Sequence, residues 1–140
     1  MALDMAKYQK LFLEESREHL GEISRALLEL EKDAASVESI DVIFRMAHSI
    51  KSMAASLGYD PVTELSHALE DRMETIRSAG RIEQADELTL LFGGLEALEQ
   101  MVAGVAETGE PPASDGALLE ALSRPSSPSA DAEPKKKLLS

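Results

Sequence analysis

Residues 38–80, ESIDVIFRMAHSIKSMAASLGYDPVTELSHALEDRMETIRSAG, decide the fold. In the first half Ile43, Ala47, Ile50, Ala54 and Leu57 recur in steps of four and three, the spacing of a single buried stripe on an α-helix running from about 38 to 57. Gly58 supplies a C-terminal stop, and Asp60-Pro61 supplies an N-cap followed by proline at the first helical position. The second half then carries Val62, Leu65, Leu69, Met73 and Ile76 on its own inward stripe as far as Gly80. Two helices joined by so short a turn must lie antiparallel, each covering the other's apolar face.

The same pattern extends outward in both directions. Residues from about 4 to 32 place Phe12, Leu20, Ile23, Leu27 and Leu30 on one stripe with Glu and Arg opposite. Residues from about 84 to 107 repeat the steps in Leu88, Leu91, Leu95, Leu98, Val102 and Val105, interrupted by Gly93-Gly94, which costs about 1 kcal/mol per glycine relative to alanine and points to close packing against a neighbour. After Gly109, Pro111 and Pro112, a short helix over about 115–123 brings Leu118, Leu119 and Leu122 to the open end. The expected fold is all-α, an antiparallel up-down-up-down four-helix bundle with a short fifth C-terminal helix, forming one domain over residues 1–123. Beyond it, residues 124–140 contain three prolines and four serines after Arg124 and no apolar period, so they read as a disordered linker or tail, part of a longer multidomain chain.

Composition narrows the functional classes. There is no cysteine, which removes disulfides, thiolate metal sites and thiol nucleophiles. The net charge is −12, and residues 1–123 alone carry 24 acidic against 10 basic residues, which argues against nucleic acid as a partner. No Lys or Arg lies between Arg81 and Arg124, so Asp86, Glu87, Glu96, Glu99 and Glu107 are expected to form a solvated acidic face on the fourth helix. The first ten residues contain Asp4 and Lys7 and no apolar signal core, and no apolar run is read as long enough to cross a bilayer, so membrane insertion is not expected and a cytoplasmic location is.

Chemistry concentrates beside the decisive turn. His48 and Lys51 are three residues apart on one edge of the second helix, one step from the core positions Ala47 and Ile50. On the third helix His67 and Glu70 are likewise three apart and one position off the stripe of Leu65, Leu69 and Met73. The turn can bring the two edges together as one polar cluster at the helix interface.

The run HSIKSMAASLGY (48–59), followed by HALE (67–70), resembles the signature of histidine phosphotransfer (HPt) domains, and the opening KYQKLFLEESREHLGEISRALLELE (7–31) is similar to the first helix of CheA-type chemotaxis histidine kinases. This resemblance implies that His48 is the phosphoacceptor, that Glu70 accepts a hydrogen bond from its Nδ1 and orients the ring, and that Lys51 and His67 lie near the phosphoryl oxygens. It further implies a chain that is part of a histidine protein kinase without its catalytic centre: ATP and magnesium bind a separate kinase domain, no cofactor binds here, and that domain phosphorylates His48 in trans. From His48 the phosphoryl group would pass to an aspartate on a CheY- or CheB-like response regulator receiver domain. Ser52 and Ala55 stand where glycine is common in this family, and both remain small enough to let a partner approach. The docking face is expected on the first and second helices around His48, with Leu13, Ser52, Met53, Ala55 and Ser56 contributing.

Two other readings compete. Glu64-Leu-Ser-His67 has the Glu-x-x-His spacing of di-metal carboxylate bundles, although such sites use the motif twice and it occurs once here. A structural bundle with His48 incidental is the other. Catalysis by the chain alone is not expected, since it has no glycine-rich phosphate loop, no P-loop motif and no second nucleophile with a base.

Overall fold

The computed structural model describes residues 4–124, so residues 125–140 of the expected linker lie outside the described residues. Five helices follow in order: α1 (Met5–Lys32), α2 (Val37–Leu57), α3 (Asp60–Ala79), α4 (Ala85–Thr108) and α5 (Gly116–Ser123). α1 packs against α2 and α4, and α3 against α2 and α4, as an up-down-up-down bundle requires, while α5 lies on α3 and α4.

Local signals set the ends. Asp4, Ser36 and Asp115 accept backbone N–H bonds at the starts of α1, α2 and α5. Gly58, Gly80 and Gly109 close α2, α3 and α4 in the left-handed conformation that a side chain would resist. The start of α3 differs from expectation by one residue: Tyr59 is the N-cap and makes no side-chain capping bond, and Asp60 already belongs to the first turn, where its charge favours the helix dipole. Tyr59 is needed elsewhere, since its ring packs edge-on against Phe12 of α1 at 5.0 Å and closes that end of the core.

The expected stripes form the core. Phe12, Leu20, Ile23, Leu27 and Leu30 are buried on α1, Ile43, Ala47, Ile50 and Ala54 on α2, all five expected positions on α3, and Leu91, Leu95, Leu98, Val102 and Val105 on α4. Leu57 and Leu88, the outermost of their stripes, are half-buried. Each large aliphatic side chain so removed from water contributes roughly 1.5–3 kcal/mol. α4 corrects one expectation, being long and apolar enough by length and composition to cross a membrane. Its apolar stripe is spent inside the bundle.

Two further expectations change. A Cβ on Gly94 would meet Leu69 and Leu122 at 3.6 and 3.7 Å, ordinary contact distances, so the glycine pair is not required by close approach. That requirement falls on Gly104, where a Cβ would stand 2.6 Å from Pro112 Cδ as the chain folds back after α4. Glu87 is not part of a solvated acidic face. It is buried against Arg72 of α3, which bonds both carboxylate oxygens through Nε and Nη2. Nη1 of the same guanidinium donates to the carbonyls of Ala121, Leu122 and Arg124 at 3.2, 2.8 and 2.7 Å, which satisfies the C-terminal end of α5 and fixes it on the bundle. Arg124, the last described residue, is thereby held to the bundle through its carbonyl.

Arg72→Met should destabilise the domain by about 3–5 kcal/mol, because it removes the cation facing a buried carboxylate. Urea denaturation measures the loss, and amide exchange in 116–123 should accelerate more than exchange in α1 as α5 loses its anchor.

Candidate functional site

The seam between α2 and α3 holds a three-residue polar cluster. Ala47 and Ile50 point into the core, so the adjacent positions His48 and Lys51 emerge at the α3 edge of α2. Leu69 and Met73 do the same for α3, leaving Glu70 at the facing edge, where it is mostly buried. Glu70 Oε2 lies 2.6 Å from His48 Nδ1 and Oε1 lies 2.5 Å from Lys51 Nζ, so each carboxylate oxygen has its own partner.

Exposure differs sharply across the pair. The His48 side chain is 55% exposed and that of Glu70 11%. An ionised carboxylate can only accept, so the shared proton resides on Nδ1 and the neutral ring keeps its lone pair on Nε2. Burial, the largest single influence on Glu70, pushes its carboxyl pKa up. The hydrogen bonds and charges of Lys51 and His48 together outweigh that and hold the carboxyl below its ordinary value. The result is a fixed anion beneath an exposed imidazole, suited to stabilising positive charge on the ring.

His67 is not joined to this cluster by a hydrogen bond or ion pair. It is half-exposed and its Nε2 lies 3.3 Å from Asp71 Oδ2 one turn along α3, although its spacing of three from Glu70 keeps it on the same edge. The expected docking residues divide between faces. Ser52 and Ala55 are exposed four and seven residues after His48, on its side of α2. Met53 and Ser56 turn toward α1 and line an apolar groove of about 160 Å³ with Tyr8, Leu11, Phe12 and Leu57. Leu13 stands four residues after Gln9, whose side chain donates to the Val105 carbonyl at 3.0 Å, and so belongs to the α4 edge of α1, away from His48. Among the described residues no group of three or more His, Cys, Asp or Glu side chains is arranged to hold a metal ion, and Glu64 instead lies 3.4 Å from the Ser114 hydroxyl.

Sequence reasoning passed over the surroundings of this seam. Arg77 of α3 stacks on Phe44 one turn before His48, its guanidinium 4.1 Å from the ring centroid, and bonds Asp41 and Glu74 at 3.3 and 2.8 Å. The available signal was spacing, since Asp41, Phe44 and His48 share an edge and so do Glu70, Glu74 and Arg77.

Comparison with known proteins places the chain in a family. Residues 7–108 match the family model described as "Hpt domain". The chain is 38% identical over 108 residues to "Chemotaxis protein CheA" of Bacillus subtilis, covering 77% of this chain and 16% of that one. It is 32% identical over 106 residues to the protein of the same name from Halobacterium salinarum, covering 76% and 16%. It thus spans about a sixth of the length of these relatives. The solved "CheA phosphotransferase domain from Thermotoga maritima" superposes with a TM-score of 0.68 at 30% identity, covering 76% of this chain and all of that one.

The lowered Glu70 pKa fixes the sign of a pH effect. A carboxyl whose folded pKa lies below its unfolded value adds stability that is present above the unfolded pKa and is lost as pH falls through the folded one. The stability difference between wild type and Glu70→Gln should therefore be constant near neutrality and shrink below about pH 4. Denaturant titrations of both proteins from pH 3 to 7 check this, and ¹⁵N NMR of the imidazole should show the Nδ1–H tautomer lose its dominance in the variant.

Proposed function

The chain belongs to the Hpt domain family, and on that footing we propose that His48 accepts a phosphoryl group from the ATP-dependent catalytic domain of a CheA-type histidine kinase and passes it to an aspartate of a response regulator. The observation that carries this reading is the pairing of a buried Glu70 carboxylate with Nδ1 of an imidazole whose ring stays accessible. Nε2 attacks the γ-phosphorus of ATP held on the kinase domain, the bond from that phosphorus to the β-phosphate oxygen breaks, and ADP leaves. The ring now carries positive charge, which Glu70 balances through the Nδ1–H bond. In the second step an aspartate oxygen attacks the phosphorus, the N–P bond breaks and neutral imidazole returns.

Lys51 supports both steps electrostatically. Its ammonium already lies against Glu70 beside the ring, where it can offset phosphoryl charge without a proton transfer. His67 sits on the same edge as Glu70 and is a further candidate to line the phosphoryl environment. Ser52 and Ala55 leave the approach open for a receiver domain. The reaction draws on cytoplasmic ATP and soluble partners, so the proposed location is the cytoplasm, with phosphorylation in trans and CheY- or CheB-like regulators as recipients.

His48→Gln should abolish phosphorylation by a cognate kinase domain and ATP while changing stability by less than about 1 kcal/mol, because an exposed residue is exchanged for a good helix former. Wild type should acquire phosphate that is labile to acid and stable to base. Undiminished labelling of the variant would refute the assignment. Glu70→Ala should slow labelling on the order of 10²-fold with the fold intact by circular dichroism.

A further inference from the structure

We propose that Arg77 is a positioning residue for phosphoryl transfer, acting through Phe44 to hold the exposed His48 imidazole in its reactive orientation. The inference rests on the phosphotransfer reading and extends it to residues outside the His48–Glu70–Lys51 cluster.

Glu70 restrains His48 only at Nδ1. A ring tethered at one nitrogen and half in water can still swing about that bond, and the direction of the Nε2 lone pair swings with it. In-line attack tolerates little such error. The flank of the ring therefore needs a wall, and the helix supplies one. Side chains on a helix lean toward its N-terminus, so His48 lies over the turn that carries Phe44, four residues earlier on the same edge. Phe44 is half-buried and packed on the core, with one part of its ring left for a neighbour to cover.

Arg77 covers that ring. Its guanidinium lies 4.1 Å from the Phe44 centroid, and Asp41 and Glu74 hold it there from α2 and α3. The Asp41 carboxylate is itself anchored by Arg45 at 2.8 Å. Charge pairing separates a direct from an indirect role. The Arg77 guanidinium is already offset by two carboxylates, Asp41 and Glu74, whereas its contact with Phe44 is immediate. The pairs it makes are exposed and add little to stability, so a functional loss can be read without a folding loss.

The test uses Arg77→Met, Arg77→Lys, Phe44→Leu and the double variant Phe44→Leu/Arg77→Met, all in this domain with a kinase domain and ATP. Arg77→Met should lower kcat for His48 phosphorylation about 5–10-fold with KM for the domain unchanged, and Arg77→Lys, which keeps a cation over the ring, should recover much of the rate. The double variant should be no slower than the worse single variant, because both changes remove one wall. Imidazole NMR on the unphosphorylated domain should show increased ring mobility in Arg77→Met with the Nδ1–H tautomer retained, a readout that does not depend on the phosphotransfer assignment. An unchanged imidazole signature would overturn the proposal. So would a loss confined to KM, which would make Arg77 a docking contact, or additive losses in the double variant.

Discussion

A buried carboxylate shared between two helices governs this domain. Glu70 is taken out of water on α3, and the ammonium and imidazole that α2 presents to its two oxygens outweigh that burial and hold its carboxyl below the ordinary value. Both partners sit on a helix whose own core stripe fixes their direction, so the electrostatics holds only if α2 and α3 keep one register. A slip of a single turn, about 5.4 Å, would break at least one of the two pairings. The left-handed Gly58, the packing of Tyr59 on Phe12 and the burial of Ile50, Ala54, Leu65 and Leu69 in one core all serve that register.

α3 carries a second charge into the opposite seam, and the contrast is informative. Arg72 and Glu87 are buried at 7% and 6% side-chain exposure, and the guanidinium is further committed to the end of α5. Arginine is always charged and its fork binds both carboxylate oxygens, so this pair is a permanent fastening. Glu70 instead faces a lysine and a half-exposed histidine whose charge changes when a group is attached to the ring. One acid on each side of the core gives a rigid seam behind α3 and a responsive one in front.

Most of the fold was legible because helical periodicity is a local signal. The stripes through Phe12, Ile43, Leu65 and Leu91 each announced a helix, and glycines 58, 80 and 109 marked where three of them stop. The cluster of His48, Lys51 and Glu70 was legible for the same reason, being offset by one position from two such stripes. Contacts between helices distant in sequence were not. Glu87 read as one more solvated acid because its partner is 15 residues away on another helix, and Gly104 carried no sign of Pro112 folding back upon it. Leu13 and Met53 looked equivalent as apolar residues near the surface, yet they face α4 and the α1–α2 groove respectively, a distinction that follows from helix rotation within the bundle.

The central claim is that Glu70 reserves Nδ1 and so directs chemistry to Nε2 of His48. It is tested most directly by identifying the nitrogen that bears phosphorus, through ¹⁵N–³¹P coupling in phosphorylated protein with labelled histidine. The account predicts a single phosphoramidate on Nε2 of His48, with Nδ1 still protonated and shifted by its bond to Glu70. Phosphorus on Nδ1, or on His19 or His67, would contradict it.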